Sequence, residues 1–253
     1  MDTLKIAWLF PDTMYLHGDR GNILALEKIA SSAGLAVETE KIDFNTENFD
    51  PLQFHIIFCP PGEITSFPAV VRWMKPFRQK LQSFIEEGRP VLVTGTSVAM
   101  WCKKVRRTDG SIIEGLGLLD AEAEEREQAY GDDLYYSCIY NSKEMELIGS
   151  QIQMVNLFNH GEASWGKLKY GYGNSGKDRQ EGFLRGNSIF TNTLGPLLAI
   201  HPELAAEIVK AAAETGGLTI GEPEYNVEIS QKSFDSKRKF ILNKKTGLTN
   251  CKE

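Results

Sequence analysis

Cysteine is scarce in this chain of 253 residues. Cys59, Cys102, Cys138 and Cys251 show no CxxC spacing, which fits a reducing cytoplasm better than a disulfide-stapled secreted scaffold. Histidine is equally scarce: His17, His55, His160 and His201 lie far apart with no HxH or HxxxH pattern, so no metal site is expected. Positive charge is not in excess, because 28 Lys and Arg against 34 Asp and Glu give a formal net charge of −6. That balance argues against nucleic acid as a partner. No apolar run approaches the roughly 18 residues that span a bilayer, so direct membrane insertion is not expected. The start, MDTLKIAWLF, passes into a strand-like run without a basic leader, and the expected location is the cytoplasm. A GxxxxGK[ST] phosphate loop is absent too, so ATP is not expected to bind by that route. There is no internal repeat and no low-complexity segment.

What is present is an ordinary globular composition, 42% hydrophobic and 25% charged, long enough for one large domain with an ample core. The first half alternates short aliphatic runs with longer amphipathic ones, the pattern of parallel strands and crossover helices. Leu4 to Phe10 reads as the first strand, Ala36 to Ile42 as a half-buried one, and IIFC (56–59) and VLVTG (91–95) as buried central strands. Helical spacing after the loop PDTMYLHGDRG ends at Gly34. A second helix over 69–87 should bend or restart at Pro76 and stop at Gly88. A short apolar stretch, SVAMW, turns away from the strand end at Gly95, and open α/β folds place ligands at such carboxyl edges. In the second half DAEAEEREQ, LYYSCIY, QIQMVNLF and FLRGNSIFTNT read as largely antiparallel strands, followed by a helix in HPELAAEIVKAAAETGG. The expected architecture is a mostly parallel sheet flanked by helices with antiparallel additions. Residues 1–220 form the main domain, and 221–253 a lysine-rich extension with a turn at KKTG. That tail is expected to be partly disordered, laid over the surface or docked on a partner, with YNVEIS as a candidate edge strand.

Three segments stand out. PDTMYLHGDRGN (11–22) offers Asp19, Arg20 and Asn22, set about Gly18 and Gly21, as candidate pocket or partner residues, although a tight turn with Asp19 or Asn22 as helix cap would also explain the pattern. KYGYGNSGKDRQEG (169–182) adds Tyr172 and Asn174 as candidate pocket or partner residues, in a turn-rich loop that backbone geometry alone would also explain. TNTLGPLLAIHPELA (191–205) follows an apolar strand.

In order and spacing, over about 215 residues, these segments resemble the class I glutamine amidotransferases of the cobyric acid synthase-like branch, in particular the amidotransferase subunit of lipid II isoglutaminyl synthase. The resemblance implies a flavodoxin-like sheet and, in the family, a cysteine on a sharp strand-to-helix turn, a histidine base and backbone donors for an oxyanion. It places Gly95 at the nucleophile and Leu194 at the base. Pro60, Pro61 and Gly62 fall on the oxyanion loop, where proline supplies no N–H. Ala163 falls where the family has an arginine for the glutamine carboxylate, with Glu162 beside it. Four departures in one constellation imply a site no longer kept for glutaminase chemistry.

The resemblance further implies a Mur-ligase-like partner, forming a heterodimeric amide ligase in which ATP and magnesium belong to the partner, while this chain carries no cofactor. The expected role is a non-catalytic supporting subunit whose altered pocket holds a small amine or amino acid, or nothing. Two alternatives stay open. One is an active amidotransferase or hydrolase built on Ser97 and His160, with Thr96 adjacent, or on the thiols of Cys59 or Cys102. The basic run Lys103, Lys104, Arg106 and Arg107 would lower the Cys102 pKa, or would be only a solvated helix end. The other is a stand-alone sensor of a small amine or amino acid.

Overall fold

A computed structural model describes residues 1–249. The chain opens with β1 (Thr3–Leu9), α1 (Gly21–Ser32) and β2 (Ala36–Ile42), which pairs in parallel with β1. Gly34, just beyond α1, takes φ +85° and lets the chain reverse, with the Leu35 N–H returning to the Ala30 carbonyl. β3 (Ile56–Cys59) and β4 (Val91–Thr94) are buried at every position, as their unbroken apolar runs require of strands covered on both faces. Between them, α2 (Phe67–Met74) and α3 (Arg78–Glu86) are separated by a single 3-10 turn, Lys75–Phe77, where Pro76 removes a helical hydrogen bond. After β4 comes a 3-10 turn, Gly95–Ser97, and the short α4 (Val98–Trp101).

The second half begins with two small strands, β5 (Lys104–Arg106) and β6 (Ile112–Glu114). Here the structure corrects the sequence reading of a basic helix end: the segment is a strand whose cations pair along β7 (Ala121–Tyr140) and its approach, Lys103 with Asp120, Lys104 with Glu122, Arg106 with Glu124 and Arg107 with Glu125. β7 takes in both DAEAEEREQ and LYYSCIY, with its register shifting between Glu125 and Tyr130. It turns through Asn141 and Ser142, both at positive φ, into β8 (Lys143–Asn159), the two-residue geometry that suits the right-handed twist of a hairpin. β9 (Ser164–Tyr170), β10 (Gln180–Arg185) and β11 (Ser188–Thr191) follow, then α5 (Leu197–Ile200) and α6 (Pro202–Gly216).

Among the described residues these strands make one eleven-stranded sheet, β2-β1-β3-β4-β11-β10-β9-β7-β5-β6, with β8 on β7. The run from β2 to β11 is parallel, and β11 through β10 and β9 to β7 is antiparallel. One core layer packs α2, α3 and α4 against one face of the sheet, and the other packs α1 and α6 against the opposite face.

The tail departs from expectation in part. It lies over the surface, one of the expected arrangements, but as a helix and not an edge strand: Val227–Thr249 forms α7, and the helix backbone continues through the segment read as a turn at KKTG. Asn226 Oδ1 accepts the Ile229 N–H at 2.9 Å as an N-cap. Ile241 and Phe234 pack against Tyr135 and Ile148 of the β7–β8 hairpin. Lys237 and Lys244 reach Asp133, and Lys244 also reaches Asp132. Cys251 lies outside the described residues. No helix is long and apolar enough to cross a membrane among the described residues.

Candidate functional site

Four loops leave the carboxyl ends of parallel strands β1, β3, β4 and β11 and meet around Gly95. Phe10, which ends the first strand run, has φ +49°, unusual for a bulky residue. It is held by its N–H on the Ile42 carbonyl and by ring contacts with Phe44 and Trp73. The chain then runs through Met14 to Asp19. After β4, Gly95 adopts φ +61°, the left-handed conformation of a sharp strand-to-helix turn.

Gly95 is covered. A Cβ placed on it would stand 2.7 Å from Leu194 Cδ2 and 2.9 Å from Pro61 Cβ. Leu194 is itself buried, and its N–H and carbonyl exchange hydrogen bonds of 2.8 and 3.1 Å with Ser150 of β8. Gly95 itself offers no side chain at this turn, and Leu194 above it has no titratable group. The neighbouring loop contains Pro60, Pro61 and Gly62, of which only Gly62 has an N–H. That N–H donates to Ser97 Oγ at 3.1 Å, while the Ser97 hydroxyl donates to the Pro60 carbonyl at 2.6 Å. No backbone donor of these three residues is left for a substrate oxygen.

The structure does not bring Ser97 and His160 together. Ser97 is buried between Pro60 and Gly62. His160 is exposed after β8, its backbone N–H on the Asp120 carbonyl, beside a polar cavity of about 490 Å³ that it shares with Glu162 and Asp178. Glu162 accepts the Asp120 N–H at 2.6 Å, and exposed Ala163 accepts from Leu184 through its carbonyl. Thr96 is buried in the turn. The thiol alternatives fare no better: burial pushes Cys59 up to about 12, and burial raises Cys102 as well, helped by Glu162 and Glu122. The basic run does not activate Cys102, because its charges are matched by the acids of β7 and its approach.

The remaining sequence candidates have structural partners. Asp19 and Asn22 do not cap α1, whose N-cap is Arg20 with no side-chain bond. Asp19 Oδ1 instead accepts the Gly195 N–H at 3.3 Å, and Asn22 Oδ1 accepts the Leu198 N–H at 2.8 Å. Burial lifts the Asp19 pKa to about 6. Tyr172 donates to Asn156 Oδ1 at 3.1 Å and receives Arg126, whose guanidinium also lies 4.7 Å from the ring centre. Asn174 is buried, accepting from the Gly182 N–H at 2.8 Å and from Asn192 Nδ2 at 2.9 Å.

Sequence reading passed over the group at the centre of this network. Glu181 is fully buried and accepts from the Thr191 hydroxyl, the Asn192 backbone and side-chain amides and the Thr193 hydroxyl. Thr193 also shares a 2.9 Å hydrogen bond with Tyr136. Burial raises the Glu181 pKa, against the pull of those donors. The available signal was a glutamate inside the EG of a family-like loop.

No family model matches the sequence. The chain is 26% identical over 234 residues to the lipid II isoglutaminyl synthase (glutamine-hydrolyzing) subunit GatD of Staphylococcus aureus, covering 90% of this chain and 92% of that protein. To the GatD subunit of Streptococcus pneumoniae it is 23% identical over 231 residues, covering 90% and 88%. Among solved structures, PurLQS from Thermotoga maritima superposes with a TM-score of 0.54 at 12% identity, over 85% of this chain and 97% of that one. A glutamine amidotransferase from Thermotoga maritima gives 0.50 at 10%, over 85% of each chain. The chain is thus similar in sequence to GatD subunits along nine-tenths of its length, and its strand order and these superpositions give it the fold of a glutamine amidotransferase.

Proposed function

We propose that this chain is a glutamine amidotransferase-like subunit without glutaminase activity, which supports a Mur-ligase-like, ATP-dependent amide ligase acting on lipid II or a related acceptor. One observation carries the reading: glycine stands at the turn after β4, and Leu194 with Pro61 fills the space into which a nucleophilic side chain would project. A tetrahedral intermediate would also find no donor on Pro60, Pro61 or Gly62, since the only N–H among them is committed to Ser97. Likeness to GatD subunits along nine-tenths of the chain supports the role of a subunit. The ligase would then take free ammonia or another amine directly, with ATP and magnesium on its own side of a cytoplasmic heterodimer. The hydrolase reading on Ser97 and His160 has no observation in its favour.

The test pairs the purified chain with the Mur-ligase-like protein that co-purifies with it. Amide product is expected with ammonium chloride and ATP, with no ammonia from glutamine and no adduct from a diazo ketone glutamine analogue. Ammonia release that a single substitution in this chain abolishes would overturn the reading. Failure of any ligase to co-purify would favour the stand-alone sensor.

A further inference from the structure

Two of the family-like segments meet on one short stretch of chain. Residues 194–198 carry Leu194 over Gly95 and then begin α5. On one side Ser150 holds the Leu194 backbone through two hydrogen bonds. On the other, Asp19 holds the Gly195 N–H and Asn22 holds the Leu198 N–H, both reaching across 176 positions of sequence. Asn22 Nδ2 donates to Asp19 Oδ2 at 3.3 Å, so the two side chains act as one unit. Gly21 sits so close beneath Pro196 that a Cβ there would lie 2.4 Å from Pro196 Cγ. Asp19 is 1% and Asn22 0% exposed, and neither caps the helix that it precedes or begins.

We propose that Asp19 and Asn22 are positioning residues that clamp segment 194–198 and so keep Leu194 seated on Gly95. This rests on the reading of a closed, non-hydrolysing turn and goes beyond it, since it assigns the GDRGN segment the work of closure. The physical case is the cost of release. Swinging the segment away frees two buried backbone donors, leaves their side-chain acceptors without these partners and takes the Leu194 side chain out of its apolar seat. Without the clamp, Leu194 is held by Ser150 alone, and local opening falls toward the low-stability end of the molecule's fluctuations.

The experiment introduces a thiol by L194C in a C251S background and follows its alkylation by iodoacetamide. Buried Cys59 on β3, 0% exposed, serves as the internal reporter of global opening. Adding Asn22→Ala is expected to raise the labelling rate at position 194 about tenfold relative to Cys59, the size expected for one lost buried hydrogen bond. Asp19→Ala carries the same expectation independently, should the first variant fold poorly. Equal acceleration at both thiols, or none at position 194, would overturn the clamp. Glutamine assays on the unsubstituted chain keep the two ideas apart: released ammonia would remove the parent reading and leave the labelling ratio untouched.

Discussion

The Ser97 hydroxyl joins two loops, taking the Gly62 N–H at 3.1 Å and giving its proton to the Pro60 carbonyl at 2.6 Å. A serine just past a strand-to-helix turn invites a nucleophile's role, yet here its lone pair and its proton are both engaged by backbone. Ser97→Ala would leave a buried donor and a buried acceptor unpaired, at about 1–3 kcal/mol each. The expected outcome in urea denaturation is a loss of about 2 kcal/mol or more with an unchanged m-value. A loss below about 0.5 kcal/mol would mean that the loops do not depend on this bridge.

Leu194 and Gly95 make a second, opposite expectation. Restoring the family's chemistry in part, by the double variant G95C and L194H, should give no glutaminase turnover. The new Cβ would have to displace Pro61, which lies 2.9 Å from its ideal position, and φ +61° disfavours any side chain at that turn. Even if accommodated, the thiolate would work beside Pro60, Pro61 and Gly62, which offer it no free N–H. Ammonia production above that of the unsubstituted chain would show that the loop rearranges and that the closed turn is easily reopened. Leu194→Ala alone should cost about 2–5 kcal/mol, as emptying a packed apolar seat does.

Much of this arrangement was legible in the sequence, for specific reasons. IIFC and VLVT are apolar at nearly every position, and only a strand covered on both faces needs that. Gly34, Pro76 and Gly88 punctuate the helices through backbone geometry that leaves a mark in residue type. β5, β6 and β9 were not legible, because strands of three residues or of alternating lysines are defined by their partners: the cations of β5 make sense only beside Glu122 and Glu124. α7 escaped because its two anchoring apolar residues, Phe234 and Ile241, stand seven apart among lysines. Asp19 and Asn22 were noticed, as pocket or partner residues or else as caps of their own helix, but a partner 176 positions away is invisible to local pattern.

Asp19 gives the fold a signature in acid. Its carboxyl titrates at about 6 in the folded chain against 3.8 unfolded, because burial penalises the ionised form. The unfolded chain therefore loses this proton first, and the contribution of Asp19 to stability falls as pH rises from about 4 to about 6, then levels. At roughly 1.4 kcal/mol per pH unit the change is on the order of 2–3 kcal/mol. Asp19→Asn keeps the shape and an acceptor for Gly195 and should abolish that slope. Denaturation midpoints of both proteins from pH 4 to 7.5 provide the check, and a difference that stays constant with pH would show that Asp19 is not the titrating group.

The docking of α7 should respond to acid through a different pair of groups and with the opposite sign. Burial alone would raise the Asp133 carboxyl, but the ammonium groups of Lys237 and Lys244 outweigh it and hold its pKa below the ordinary value, and Asp132 is lowered in the same way with Lys244 among its partners. A depressed folded pKa means that the stabilisation is fully present above the unfolded value of 3.8 and is lost as pH falls through the folded one. Among the described residues the apolar cluster under the helix is small, Tyr135, Ile148 and Ile241 with Tyr170, Ile200 and Phe234 packed against them, so these ion pairs carry much of the docking. Hydrogen exchange in α7 should accelerate below about pH 4 and in high salt, while β3 and β4 stay protected. Asp133→Asn should reproduce the acid behaviour at neutral pH, raising exchange in residues 234–244 severalfold. Unchanged exchange in that variant would place the hold in the apolar cluster instead.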